Sequence, residues 1–156
     1  MLIERVRQGV WAGIVAWAAT LGVLVGFGRS RDATLQPLNA IAHIFFGTRA
    51  LLMQGFDWVV TPAALLLHLA ALAAWGAVFA LLASRLRGLR LLGAAAAYSL
   101  LIWLVNRLVL PSAMSAGLVQ LLSPWELGIF YLVLALALAL GVRIGDRRTS
   151  ELPASV

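Results

Sequence analysis

WVVTPAALLLHLAALAAWGAVFALLA, residues 58–83, contains no charged side chain and a single histidine. A helix that crosses the hydrocarbon core of a bilayer needs about 20 mostly apolar residues at 1.5 Å rise each, and this stretch is longer than that. Gly9–Gly28, Leu91–Pro111 and Trp125–Val142 repeat the pattern. The expected fold class is therefore an all-α membrane protein: a bundle of four transmembrane helices plus one amphipathic outer or re-entrant helix. Residues 1–146 form one transmembrane domain and 147–156 a cytoplasmic tail.

Composition agrees. The 156 residues are 63% apolar and 12% charged, against about 25% charged in an average soluble domain. Too little chain lies outside the spans for a soluble domain of ordinary size, so any chemistry belongs within or at the edge of the bundle. Cysteine is absent, which excludes disulfides, thiolate metal sites and haem attachment through Cys-x-x-Cys-His. All twelve basic residues are arginine, which reads as the coding bias of a GC-rich bacterial genome. The net charge of +6 reflects arginines at span ends facing lipid headgroups, and nucleic acid is not an expected partner. The apolar run after Arg5 and Arg7 exceeds the 7–15 residues of a secretory signal, and no A-x-A site precedes Arg29, so it is expected to stay as the first span.

Arg85, Arg87 and Arg90 share one side with Arg143, Arg147 and Arg148 if the last three spans are sequential. The positive-inside rule makes that side cytoplasmic, and placing Arg5 and Arg7 there leaves Arg29, Arg31, Arg49 and Arg107 outside. The expected location is the bacterial inner membrane, multi-pass, with N-terminus and C-terminus cytoplasmic.

Leu35–Gln54 reads as a further helix, with Asp32 or Thr34 as N-cap. Gln36, Asn39, His43, Gly47, Ala50 and Gln54 recur at helical spacing and fall on one face. So polar a segment inserts poorly on its own, and a non-spanning position is preferred. The alternative is a fifth span that packs its polar face on protein and moves the N-terminus outside. Near the last span, Ser123, Pro124 and Glu126 spell a capping box. Pro62 reads as the start of the second span and Pro111 as the end of the third. Ser112–Leu122 is then a short outer connection.

Few residues are candidates for chemistry. His68 lies in the second span with Trp75 and Phe79 on the same face. It reads either as a hydrogen-bonded core imidazole or as a haem or quinone contact. His43 is the other histidine, and together the two are the minimum set for b-type haem. No metal or other cofactor is expected, but bound lipid is. Asn39, Asp57, Asn106, Arg107 and Glu126 all fall toward the outer ends of the spans as a possible polar cluster, with Arg107 free to snorkel or to pair with Asp57 or Glu126. No acidic residue lies mid-span, which argues against a proton-coupled transporter. Gly9, Gly13, Gly22 and Gly26 make two G-x-x-x-G pairs that let helix backbones approach closely. The Leu–Ala alternation of the last span reads as lipid-facing or as a featureless apolar interface.

The run from His68 through Trp75-Gly76 and Phe79 to Leu82, followed by Tyr98, Trp103 to Arg107 and Pro111, resembles a group of uncharacterised small polytopic bacterial inner-membrane proteins. The resemblance covers the second to fourth spans. It implies a polytopic membrane protein and carries no catalytic residues with it. The functional expectation is a non-catalytic accessory subunit of a larger inner-membrane complex, with respiratory or other electron-transport machinery foremost. Its partners are membrane lipids and other integral subunits. A small transporter or channel is the first alternative, and a b-haem or quinone-binding protein the second.

Overall fold

The computed structural model describes the backbone of residues 2–109 and 117–150, and the side chains of residues 2–108 and 117–145. The chain is all-α, with no strand among the described residues. Helix α1 (Leu2–Arg29) leads into α2 (Gln36–Asn39), a 3-10 turn (Ala40–Ala42), α3 (His43–Phe46) and α4 (Thr48–Leu52). Then come α5 (Val60–Ala83), α6 (Leu89–Leu104) continued by a π-turn (Val105–Val109), α7 (Leu118–Leu121) and α8 (Pro124–Ser150). Four of these, α1, α5, α6 with its π-turn, and α8, are long and apolar enough to cross a bilayer. The protein is a multi-pass membrane helix bundle.

Several helices outrun their apolar stretches. Helix α1 begins at Leu2, with Glu4 in its first turn and Arg29 in its last, the charge order that suits a helix dipole. Helix α8 continues to Ser150, so the expected tail is helical over its first residues and its remainder lies outside the described residues. Pro111, with the first five residues of the Ser112–Leu122 connection, also lies outside them.

Helix α1 is central. It packs antiparallel against α5 on one side and α8 on the other, while α6 rests mainly on α8. The cause is a face of small residues. A Cβ built on Gly13 would overlap the Leu72 carbonyl oxygen and lie 2.6 Å from the Ala73 Cα, and one on Gly9 would lie 2.6 Å from the Gly76 carbonyl oxygen. Across α8, a Cβ on Gly141 would lie 2.5 Å from the Ala12 Cα. Backbones this close leave room for hydrogen alone, so Gly9 and Gly13 form a seam inside the bundle.

Gly22 and Gly26 do not belong to it. A Cβ on either meets nothing within 4 Å, and together with Ala18 they make an exposed ridge at four-residue spacing. Of the two expected G-x-x-x-G pairs, Gly9–Gly13 is a close helix contact and Gly22–Gly26 is an exposed ridge on the opposite side of α1.

The Leu–Ala run of α8 is the most buried of the spans. Alternation in sequence becomes two ridges on a 3.6-residue helix. Leu134 and Leu138 are buried, while Leu132, Leu136 and Leu140 face outward. The alanines between them (Ala135, Ala137, Ala139) are buried and permit close approach.

Leu35–Gln54 is corrected. It is no single helix, because Gly47 breaks it at φ +54°, a backbone region that favours glycine. The chain runs in through α2, the 3-10 turn and α3, then returns through α4. The Leu35 N–H donates to the Gln54 carbonyl at 3.1 Å, so the segment starts and ends at one level and adds no crossing. Four crossings place both ends of the described chain on the same side of the bundle.

Candidate functional site: a cavity and a groove flanking Tyr131

The polar candidates Asn39, Asp57, Asn106, Arg107 and Glu126 lie toward the end of the bundle where α1 ends and α8 begins. Asn39 and Asp57 meet at Thr61, whose hydroxyl accepts from the Asp57 N–H at 3.0 Å and donates to the Asn39 amide oxygen, while Asn106, Arg107 and Glu126 lie apart from them, so the five do not form a single cluster.

Asn39, fully buried, holds the re-entrant segment closed. Its amide nitrogen donates to the Met53 and Gly55 carbonyls at 3.0 and 2.9 Å, and its amide oxygen accepts from the Thr61 hydroxyl at 2.8 Å. Every donor and acceptor of the amide is used, which is what makes a buried Asn tolerable. Gln36 adds a bond to the Leu51 carbonyl at 2.7 Å.

Asp57 caps α5. Its carboxylate accepts from the Val60 and Val59 N–H groups at 2.8 and 2.9 Å and pairs with Arg49 at 3.0 Å. The Val60 and Val59 N–H groups, followed by the Arg49 guanidinium, hold its pKa below the ordinary 3.8. Pro62 therefore sits in the first turn, where its missing N–H is harmless, and the helix starts at Val60.

Glu126 accepts from the Ser123 backbone N–H at 2.9 Å, the bond a Glu at N3 contributes to a capping box, and the Ser123 hydroxyl donates to the same carboxylate. It also pairs with Arg31 from the end of α1, and Phe27 meets Trp125 edge-on at 5.8 Å beside it. Both carboxylates offered to Arg107 are thus held by other arginines.

His68 is buried on α5. The Thr20 hydroxyl donates to the Ala16 carbonyl at 2.7 Å, so toward the His68 Nε2, 2.9 Å away, it can only accept. This assigns the proton to Nε2 and leaves Nδ1 as an acceptor. The ring lines a cavity of about 230 Å³ between α5, α6 and α8, closed by Ile41 and Ile44 of the re-entrant segment. Asn106 and Tyr131 also line it.

His43 is not among the residues lining this cavity. It packs beside Gly117, with its Nδ1 buried and without a hydrogen-bond partner among the described residues. The two histidines do not frame one site, and the His68 Nε2 that would meet haem iron is engaged by Thr20. No group of three metal-capable side chains occurs among the described residues. What the cavity can do is hold a small molecule, with a lone pair at His68 and an amide at Asn106.

On the other side of Tyr131 lies a larger groove of about 590 Å³ between α6 and α8, with Arg107 in its wall. The π-turn separates neighbouring residues: Asn106 lines the His68 cavity and Arg107 the groove. The Ile102 carbonyl, which also accepts from the Val105 N–H, accepts from the Asn106 amide at 2.9 Å. Ser99 and Tyr98 fasten α6 in place, donating to the Tyr131 carbonyl at 2.6 Å and the Trp75 carbonyl at 2.9 Å. Sequence reading missed the tyrosines, although a hydroxyl in a span always needs a partner.

No family model, curated protein or solved structure matches this chain.

Proposed function

We propose that this protein is a non-catalytic subunit of a larger bacterial inner-membrane assembly, held to its partner through the Ala18–Gly22–Gly26 ridge of α1. One observation carries the reading: a Cβ on Gly22 or Gly26 meets nothing within 4 Å. Glycine in a helix interior costs about 1 kcal/mol relative to alanine. At Gly9 and Gly13 the close helix contact offsets that cost. At Gly22 and Gly26 the bundle offers no such return, whereas a partner helix packed on the ridge does.

The basic residues of the Arg85 end (Arg5, Arg7, Arg85, Arg87, Arg90, Arg143) favour a cytoplasmic position for that end and for both termini. Electron-transfer machinery is the class of assembly the sequence reading favours, and the identity of co-purifying subunits decides it. Gly22→Ile and Gly26→Ile block close approach, so each releases the protein from its assembly at a cost of about 1–3 kcal/mol while it still accumulates in the membrane. Native purification in mild detergent followed by mass spectrometry reads this directly. A wild-type protein that migrates alone overturns the proposal.

A further inference from the structure

We infer that the groove between α6 and α8 is a binding site for one anionic phospholipid, with an acyl chain along the groove and the phosphate on Arg107. The walls are those of a chain-binding slot. Leu100 and Leu132 stand exposed at its rim, Trp103 and Leu127 line it, and Tyr131 separates it from the His68 cavity. The Ser99 hydroxyl in its wall is already directed at the Tyr131 carbonyl, so it does not need water from the slot. Its width comes from Gly128, where a Cβ would meet nothing within 4 Å. At about 590 Å³ the space falls within the range of ligand-sized pockets.

Charge names the occupant. Arg107 is exposed and lies next to the end of the span Leu89–Leu108, the depth at which long basic side chains meet headgroups. Arg49 and Arg31 have Asp57 and Glu126. Arg107 has no carboxylate partner among the described residues. A guanidinium beside an apolar slot complements a phosphate joined to an acyl chain, and it grips phosphate through paired N–H donors. A neutral chain leaves it unanswered. The site does not depend on the α1 ridge, so it stands or falls independently of the partner reading.

The test uses the full-length protein in nanodiscs of equimolar palmitoyl-oleoyl phosphatidylglycerol and phosphatidylcholine, released for native mass spectrometry. The wild type retains one phosphatidylglycerol with a preference of about tenfold over phosphatidylcholine, the scale of a hydrogen bond to a charged group. Arg107→Gln removes the preference and Arg107→Lys restores part of it. Gly128→Leu fills the slot from an open position and removes retention of either lipid, with thermal unfolding unchanged. Arg90→Gln, at the opposite end of the bundle, leaves the preference intact. An Arg107→Gln protein that keeps its preference, or a Gly128→Leu protein that keeps its lipid, overturns the proposal.

Discussion

Gly9 and Gly13 in the first half of α1, and Gly22 and Gly26 in the second, are the same residue at the same spacing on the same helix. The first pair sits where the α5 backbone comes so near that a methyl group has no room, and the second faces empty space. The difference comes from the rotation of the helix between them. Gly13 and Gly22 are nine residues apart, two and a half turns, so the pairs point to opposite sides. A G-x-x-x-G pattern therefore does not by itself tell whether its glycines face another helix of the same chain.

Putting an identical side chain into both seams is the severest test of this contrast. Gly13→Ile forces the α1 and α5 backbones apart and costs the isolated bundle about 3 kcal/mol, the upper end for overpacking a tight contact. It lowers the thermal midpoint and the membrane abundance. Gly22→Ile moves the midpoint little, within the roughly 0.5 kcal/mol of ordinary surface changes. Equal losses from the two variants in purified protein would erase the distinction.

Part of this was legible in the chain. The four spans follow from length and composition, which no tertiary contact has to correct. The Ser123–Glu126 cap is equally local. The break at Gly47 was available as a signal, because a glycine in an otherwise continuous helical pattern is also a place where the chain can turn. Asp57, four residues before Thr61 and five before Pro62, carries the start signal of α5 in the sequence DWVVTP. The pairing of Arg31 with Glu126 was not legible, since 95 residues separate them. The same is true of Asn106 and Arg107: a π-turn sends adjacent residues to different cavities, and it is set by how α6 packs.

A smaller effect sharpens the contrast within the second half of α1. There Leu24, fully buried, joins Leu38 and Ile41 of the re-entrant segment, with Val60, Ala64 and Phe130 of α5 and α8, in one apolar cluster, so the docked segment supplies part of the cover of the inward face. Asn39→Leu removes the bonds to Thr61, Met53 and Gly55 and leaves those groups unsatisfied, at a cost of about 1–3 kcal/mol. Hydrogen exchange then rises at Leu35–Leu52 while the Gly9–Gly76 seam stays protected. Exchange that rises equally at both places would mean the two halves are not separate units.

The smallest expected effect is on acid stability. The Asp57 pKa is held below its ordinary 3.8 by the Val60 and Val59 N–H groups and by Arg49. A carboxylate depressed in the folded state adds stability that is present above the unfolded pKa and lost as pH falls through the folded one. Thermal midpoints measured from pH 6 downward therefore decline below about pH 4, and Asp57→Asn flattens part of that decline. An unchanged slope in the variant would remove Asp57 from the acid response, leaving the cap to act as a neutral hydrogen-bond acceptor.

The closure of the re-entrant segment also fixes an order of events during synthesis. Asn39 leaves the ribosome before each of its partners, Met53, Gly55 and Thr61, and Thr61 belongs to the first turn of α5. When α1 has already entered the bilayer, the segment behind it can make its own bonds to Met53 and Gly55, but the Asn39 amide oxygen still lacks the Thr61 hydroxyl. The bond that ties the segment to the bundle forms only when α5 brings the Thr61 hydroxyl to the same level. Docking is then a late step, and the helix that follows the segment acts as its folding template.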